Sequence, residues 1–489
     1  MVMAAAILWL VSAYSAAAEG IPFSIERYLR EEMVLNEIPG LSVAIVRGDE
    51  VATAAYGVKS LAGGAAMTAE TLVELASLSK PLTALAASRL EQEGRLVFDR
   101  PVTHYLPEFR TRDREASLHI TVRHLVEQTS GLTRGDDYLI PCCGQPGEFD
   151  LTLAARRLER AQLRHAPGSR FYYANSNYIL LATLIERVSG RPFPGYMRTD
   201  VFQPLRMTRT TLDYEEAARW ELAEPHEREW GRMQVSGTNF SGWYGSSQVK
   251  STAVDVGGWL SALLRGEERV FGPAGRAAGF FEPPLEAIYQ RGWFVRRRAP
   301  WLKDEPVLEH SGFIWNGSTS AIVVPGRKLA AAVLMNTGTS RAAVIARGVL
   351  LRAAGLPAPP AAQAPWTSQT DNWAMCFVAG SIVLAVLLLF YLGRASREWR
   401  AGKRRVAGRQ ERQPWVRSFL LAAMAATIVW LLAATNRPLA SLPGSLRVAL
   451  PMLAVTSAAV LVSAAFLGLA PRRTSGRTGN PSSGVHRFP

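Results

Sequence analysis

The last quarter of the chain sets the strongest limit on what the whole can be. Three apolar runs without a charged side chain follow one another there: Trp373 to Leu392, Ser418 to Thr435 and Val448 to Ala470. A helix needs roughly 20 apolar residues to cross a bilayer, and only structures that pair their own backbone survive in lipid. These runs therefore predict three transmembrane helices. The loop between the first two is crowded with Arg394, Arg397, Arg400, Lys403, Arg404, Arg405, Arg409, Arg412 and Arg417. The next loop carries only Arg437 and Arg447, and the end of the chain is basic again at Arg472, Arg473, Arg477 and Arg487. An excess of Lys and Arg in short loops marks the cytoplasmic side. The first loop and the C-terminus are thus expected inside, and the large N-terminal region outside. No Asp, Glu, Lys, Arg or His lies inside a run, which argues against an ion pathway through the tail.

This placement disposes of the charge. Of a net +14 over 489 residues, residues 371–489 hold +12, which leaves +2 for the first 370. The basicity follows membrane topology, and nucleic acid is not the expected partner. At the other end, Val2 to Tyr14 is apolar and Ala16-Ala17-Ala18 resembles a cleavage site. Residues 1–18 read as a signal peptide, or as an uncleaved anchor, since no Lys or Arg precedes the apolar core. Leu356 to Thr370 is rich in Pro, Ala and Gln and reads as a linker. The expected organisation is a signal segment (1–18), a folded domain (19–355), a linker (356–370) and a membrane module (371–489). With three cysteines, a disulfide scaffold is excluded.

Within the folded domain, Leu41 to Val46 and Val51 to Tyr56 flank Arg47-Gly48-Asp49 as a hairpin, and Ala321 to Val324 and Leu329 to Met335 flank Pro325-Gly326-Arg327-Lys328 as another. Helical spacing appears at Ser77 to Leu90, Ile179 to Val188, Val256 to Leu264 and Ser340 to Ala354. Strands at both ends with helices between predict an α+β fold: an antiparallel sheet flanked by helices, with an all-helical insert.

Three clusters could carry chemistry. Ser77-Leu78-Ser79-Lys80 starts a helix, where positions three apart share a face, so an amine would stand beside a hydroxyl that needs a base. The pattern is cheap: Ser247-Gln248-Val249-Lys250 repeats it in a chain with six lysines, but in a Ser/Gly-rich stretch. Tyr173-Ala174-Asn175 follows the turn at Pro167-Gly168 and offers a proton shuttle and an amide. His310-Ser311-Gly312 precedes the last hairpin, and its glycine would let a substrate backbone approach an edge strand. No metal-binding spacing is apparent among His104, His119 and His124. Arg296-Arg297-Arg298 reads as a solvated strand end, Cys142 and Cys143 as a vicinal pair of open redox state, and Cys376 as inert within the first span.

Together and in this order, the three clusters resemble the serine β-lactamase and penicillin-binding protein superfamily, and most closely its class C β-lactamase-like branch. Ile38 to Ala44, Thr121 to Leu125 with Gln128 to Leu132, Asn177 to Leu181 and Val249 to Leu264 resemble further stretches of that family. The resemblance covers Ile21 to Gly355. It implies that Ser77 is the acylated nucleophile and that Lys80 and Tyr173 share acid/base work, with the base left open between them. Asn175 would hold Lys80 and the substrate amide. His310, Ser311 and Gly312 would bind substrate, with His310 where many relatives carry Lys. The backbone N–H groups of Ser77 and Phe313 would form the oxyanion hole. No cofactor is implied.

Two departures bear on substrate. Histidine at position 310 weakens a permanent carboxylate clamp, and Phe313-Ile314-Trp315-Asn316 replaces a small, Gly-rich run. The expected activity is that of a membrane-anchored extracytoplasmic serine hydrolase acting on a D-Ala-D-Ala-type peptide. An esterase or β-lactamase of the same fold is the alternative, and so is a non-catalytic scaffold.

Overall fold

The structure, a computed structural model, describes residues 20–140, 150–229, 232–236, 243–266, 287–314 and 317–363, with scattered positions in 379–406 and 469–471. The chain divides into two compact units; the first holds the domain outlined below and the second begins at Gln369.

The domain is built on a seven-stranded antiparallel sheet. Its strands are β1 (Gly40–Arg47), β2 (Glu50–Gly57), β3 (Ala287–Gln290), β4 (Trp293–Ala299), β5 (Glu305–Ile314), β6 (Gly317–Val324) and β7 (Leu329–Met335), in the order β2-β1-β7-β6-β5-β4-β3. Successive side chains of a strand face opposite ways, and here both faces are covered. Leu41, Val43 and Ile45 of β1 and Ala331, Val333 and Met335 of β7 pack into one core with α1 (Phe23–Leu35) and α6 (Ala342–Ala353). Ala44 and Val46 of β1 and Ala330, Ala332 and Leu334 of β7 join the other core, under α5 (Ala253–Leu264). That double burial is why these strands read as continuous apolar runs rather than as alternation. Gly257 lets α5 lie close: a Cβ there would stand 2.7 Å from Val51 Cγ1 and 3.1 Å from Ala44 Cβ.

Between β2 and β3 lie the helices of the insert, among them α2 (Ser79–Gln92), the single-turn α3 (Arg134–Asp137) and α4 (Asn175–Ser189). The α+β layout expected from the sequence is observed, as are both hairpins: β1 and β2 turn at Gly48 (φ +60°), and β6 and β7 turn through a 3-10 segment closed by Lys328 (φ +48°). Strand β3, most of β5 and all of β4 but its Arg296-Arg297-Arg298 end were not apparent from pattern. Arg296 of the Arg296-Arg297-Arg298 run lies in β4, ion-paired to Glu309 at 2.5 Å, while Arg297 and Arg298 are exposed.

The expected linker is not a free spacer at its start. Leu356, Ala358 and Ala361 pack against the core. The Ala362 N–H donates to Glu32 Oε1 at 3.3 Å, and its carbonyl accepts from Asn36 Nδ2 at 3.1 Å. Residues 1–18, Cys142, Cys143 and Cys376, all of the second apolar run and most of the first and third lie outside the described residues. Among the described residues, no helix is long and apolar enough to cross a membrane. Leu469 and Ala470, at the end of the third run, are extended and pair with Arg405 and Val406.

Candidate active site

The site forms where the turn that carries Ser77 meets the insert and strand β5. Ser77 does not open α2 directly. It sits in a 3-10 turn, Ala76–Leu78, that feeds into the helix. The turn is strained at its first residue, since Ala76 holds φ +49°, a region a non-glycine residue rarely adopts. Its neighbours fix it. The Leu75 N–H donates to the Val249 carbonyl at 2.7 Å, and Thr319 Oγ1 of β6 donates to the Leu75 carbonyl at 2.8 Å.

Gly312 has its reason here. A Cβ at 312 would stand 2.1 Å from the Leu75 carbonyl oxygen and 3.0 Å from Ala76 Cβ. The glycine lets β5 run against the turn that carries Ser77; substrate approach is not what requires it. Nor is β5 an edge strand over its whole length. It pairs with β4 as far as Glu309 and with β6 from Leu308 to Ile314. The edge expected from the sequence is therefore local, limited to the end that carries Ser311 and Gly312 past Ser77.

Lys80 lies one turn after Ser77 and is fully buried. Its ammonium donates to Ser77 Oγ at 3.1 Å, Asn175 Oδ1 at 2.8 Å and the Ser246 carbonyl at 2.9 Å, which uses all three of its protons. It also stands 4.8 Å from the centre of the Tyr173 ring. Burial lowers its pKa from the ordinary lysine value to about 7; Arg134 adds to the lowering and Asp137 opposes it. The dominant cause is loss of water. Tyr173 shares a hydrogen bond with Ser77, and burial raises its phenol well above the usual tyrosine range. At neutral pH it keeps its proton.

Asn175 is held from behind. Its backbone N–H and Nδ2 donate to Asp137 Oδ2 at 3.0 and 3.2 Å, and the Ser176 N–H donates to Asp137 Oδ1 at 2.8 Å. Helix α4 has no side-chain cap of its own, so the buried carboxylate of Asp137 closes its first turn. The Gln128 to Leu132 stretch buttresses the same place. Gln128 Oε1 accepts from the Ala174 N–H at 3.0 Å and from Asn177 Nδ2 at 2.6 Å. Gly131 (φ +91°) brings its backbone against His165.

His310 falls in the same neighbourhood but turns inward. It is 2 % exposed and ringed by Tyr173, Tyr289 and Phe294 at 5.3 to 6.2 Å between ring centres. Nδ1 lies 3.0 Å from the Ser311 carbonyl and Nε2 lies 3.2 Å from the Tyr289 hydroxyl. A carbonyl only accepts, so Nδ1 carries the proton and Nε2 accepts from Tyr289. Burial, with Lys80 adding to it, pushes the imidazole pKa down to about 3. The ring is neutral and engaged, not a cation turned to solvent. Ser311 and Phe313 are exposed, and Ser311 Oγ donates to Ser320 Oγ at 3.0 Å.

The structure thus brings Ser77, Lys80, Tyr173, Asn175, His310 and Gly312 to one place. Sequence reasoning missed Asp137, the Ser246 carbonyl and Gln128. Each acts across a long loop, and the only local sign was the acidic pair after Ser130-Gly131-Leu132. Among the described residues, no group of His, Cys, Asp and Glu could hold a metal ion.

Comparison with known proteins bears on this geometry. Residues 25–355 match the family model described as Beta-lactamase. Protein flp of Staphylococcus aureus (strain N315) is 26% identical over 318 residues, 64% of this chain and 62% of that protein. Esterase EstB of Burkholderia gladioli is 33% identical over 207 residues, 40% of this chain and 53% of that protein. The chain therefore spans less than two thirds of the length of these relatives. The octameric penicillin-binding protein homologue from Pyrococcus abyssi superposes with a TM-score of 0.58 at 23% identity, covering 68% of this chain and 77% of that one. At that identity the likeness is one of fold.

Proposed function

The chain belongs to the beta-lactamase family, and on that premise we propose that it is a membrane-anchored serine hydrolase working through an acyl-enzyme at Ser77. One observation carries the reading: Lys80, buried and lowered to about pKa 7, has its Nζ 3.1 Å from Ser77 Oγ. A lysine at its ordinary pKa would be almost wholly protonated at pH 7, whereas burial shifts this one toward the free base. The phenol of Tyr173 is already protonated, which favours Lys80 as the group that takes the Ser77 proton.

In the proposed step, Ser77 Oγ attacks the substrate carbonyl as its proton passes to Lys80 Nζ. The carbonyl π bond opens to an oxyanion facing the Ser77 and Phe313 N–H groups. The tetrahedral intermediate collapses, the bond to the leaving group breaks, and the leaving atom takes a proton from Lys80 through Tyr173. Water then attacks the acyl ester as Lys80 takes its proton, the bond to Ser77 Oγ breaks, the acid product leaves and Ser77 Oγ takes that proton back from Lys80. Asn175 holds Lys80 in place, and its amide nitrogen faces Asp137.

The substrate we favour is a small D-Ala-D-Ala-type peptide. The esterase relative makes ester hydrolysis the second reading. A β-lactamase of the same fold is the third reading. Membrane anchoring is supported by the charge-free runs, by the Arg-rich first loop and by Ile382, Val383, Val386 and Phe390, each more than half exposed where the backbone is helical. On this reading the domain lies outside the cytoplasm and the C-terminus inside.

The test is covalent labelling of the purified full chain with a fluorescent penicillin, followed by peptide mass spectrometry. The expected result is an adduct on Ser77 that is absent in Ser77→Ala. No adduct together with intact antibiotic would remove the peptidase reading and leave the esterase. Antibiotic recovered hydrolysed by the wild type alone would make the chain a β-lactamase.

A further inference from the structure

A hydrolase site of this kind needs something to orient its substrate, and His310 cannot supply a charge. The cation at this site is elsewhere. Arg134, on the single-turn α3, is exposed and holds its guanidinium carbon 5.5 Å from the centre of the Tyr173 ring. It is close enough to bear electrostatically on both Tyr173 and Lys80. Its acidic neighbours are already committed. Asp136 Oδ2 accepts from the Thr133 N–H at 2.8 Å and from Thr133 Oγ1 at 2.9 Å. Asp137 is spent on Asn175 and Ser176. Among the described residues Arg134 makes no ion pair. A guanidinium stacked on an aromatic ring keeps its edge free, and that edge is the part that takes a carboxylate in two parallel hydrogen bonds.

We propose that Arg134 is the anion subsite of this active site and selects substrates with a carboxylate on the acyl portion. The side follows from the fold. α3 also carries Asp137, which holds Asn175, the residue assigned to the substrate amide. Arg134 shares that helix, and on this ground we place the carboxylate on the acyl portion. The proposal rests on the hydrolase reading above for its kinetic test but not for its binding test.

The kinetic test compares two esters with one leaving group, p-nitrophenyl hemisuccinate and p-nitrophenyl butyrate, in which a carboxylate replaces a methyl. With the purified full chain, Arg134→Gln should cut the hemisuccinate-to-butyrate ratio of kcat/KM by about tenfold, chiefly through KM, as for loss of a charge-assisted hydrogen bond. Arg134→Lys should restore part of it, because charge returns without the fork. If both esters lose rate in proportion and the acidic limb of the pH profile moves up, Arg134 acts on Lys80 and the proposal falls.

The binding test needs no turnover. In a Ser77→Ala background, calorimetry with N-succinyl- and N-butyryl-D-alaninamide should show about tenfold preference for the succinyl compound, removed by Arg134→Gln. Equal affinities before that substitution overturn the proposal. A wild type that hydrolyses neither ester would remove the esterase reading and still leave the binding pair to decide Arg134.

Discussion

The chain contains the same four-residue pattern twice, and the two copies have opposite fates. In Ser77-Leu78-Ser79-Lys80 the chain turns through a 3-10 segment into a helix, so hydroxyl and amine meet at 3.1 Å. In Ser247-Gln248-Val249-Lys250 the chain turns at Gln248 (φ +81°) and becomes a strand only at Lys250. Lys250 begins a two-residue strand paired with Val73–Glu74, and its Nζ reaches the Leu212 carbonyl and Gln248 Oε1, both at 3.4 Å. Ser247 Oγ is buried without a partner. Yet the second copy is not idle. The Ser246 carbonyl accepts from Lys80, the Val249 N–H donates to Ser79 Oγ at 3.2 Å, and the Val249 carbonyl accepts from the Leu75 N–H. One copy presents the chemistry, and the other is the strap that holds it. Residue types set what a pattern can do, and backbone conformation decides which part of that it does.

Substituting the two serines should break this comparison most visibly. Ser77→Ala is expected to reduce turnover of the hydrolysed substrate by at least about a thousandfold, as for loss of an acylated nucleophile. Ser247→Ala should keep the rate within about twofold, since a hydroxyl without a partner contributes nothing to the strap. Steady-state kinetics on both variants decide it. A comparable loss in Ser247→Ala would mean that the second serine takes part in the reaction.

The two lysines differ next in stability. Lys250 is buried beside Glu74, whose carboxyl burial raises to about 7 against the opposing charge of Lys250, and Gln248 Nε2 donates to Glu74 Oε1 at 3.1 Å. Lys250→Met leaves that carboxylate without its cation and should cost about 3 kcal/mol at pH 8. The loss should shrink at pH 5, where Glu74 takes up a proton. Glu74→Gln added to Lys250→Met should recover most of it. Chemical denaturation at the two pH values measures this, and a loss unchanged between them would show that Glu74 is not the group left exposed to the penalty.

How much of this could be read beforehand follows the range of the interactions. Ser77 with Lys80 and Tyr173 with Asn175 were legible as local patterns, three and two positions apart, and strands β1, β2, β6 and β7 were legible because glycines mark both hairpins. β3 was not legible, and β4 only at its end, where Arg296 to Arg298 read as a solvated strand end, because the short runs are broken by Arg291 and Gly292. Asp137 and the Ser246 carbonyl were not legible either, since they reach Asn175 and Lys80 across 38 and 166 positions and nothing in the local pattern marks a cap supplied from elsewhere. His310 was found, but its state was not. A sequence shows an imidazole, and only packing shows Tyr289 and Phe294 closing over it.

Lys80 also separates the copies through pH. Its folded pKa of about 7 lies below the ordinary 10.5, so between these values the unfolded chain binds a proton that the folded chain does not. Stability therefore rises with pH across that window through this group, and below pH 7 both states are protonated and the slope vanishes. Lys80→Met should flatten the rise between pH 7 and 9 in denaturant titrations, leaving the part owed to Lys250, which burial lowers as well. His310 acts lower down. Folded chains refuse its proton between about pH 6.5 and 3, so stability falls on acidification through that range, and His310→Gln should lessen the fall. A slope between pH 7 and 9 that Lys80→Met leaves intact would mean that the lysine is not lowered and that Ser77 lacks its base.

The smallest difference is the sharpest test of the strap. Ser79 and Ser247 are both buried serines in the same pattern, and neither bears a reacting atom. Ser79 Oγ accepts from the buried Val249 N–H, so Ser79→Ala strands a backbone donor and should cost about 1–2 kcal/mol. Ser247→Ala removes a hydroxyl that had no partner and should leave stability within about 0.5 kcal/mol, or raise it slightly. Because Val249 also accepts from Leu75, the Ser79 loss should carry into the nucleophile turn and lower kcat more than KM. Equal stability of the two variants, with kcat unmoved in Ser79→Ala, would show that the hydrogen bonds between the copies are incidental and that the turn is held by Gly312 and Thr319 alone.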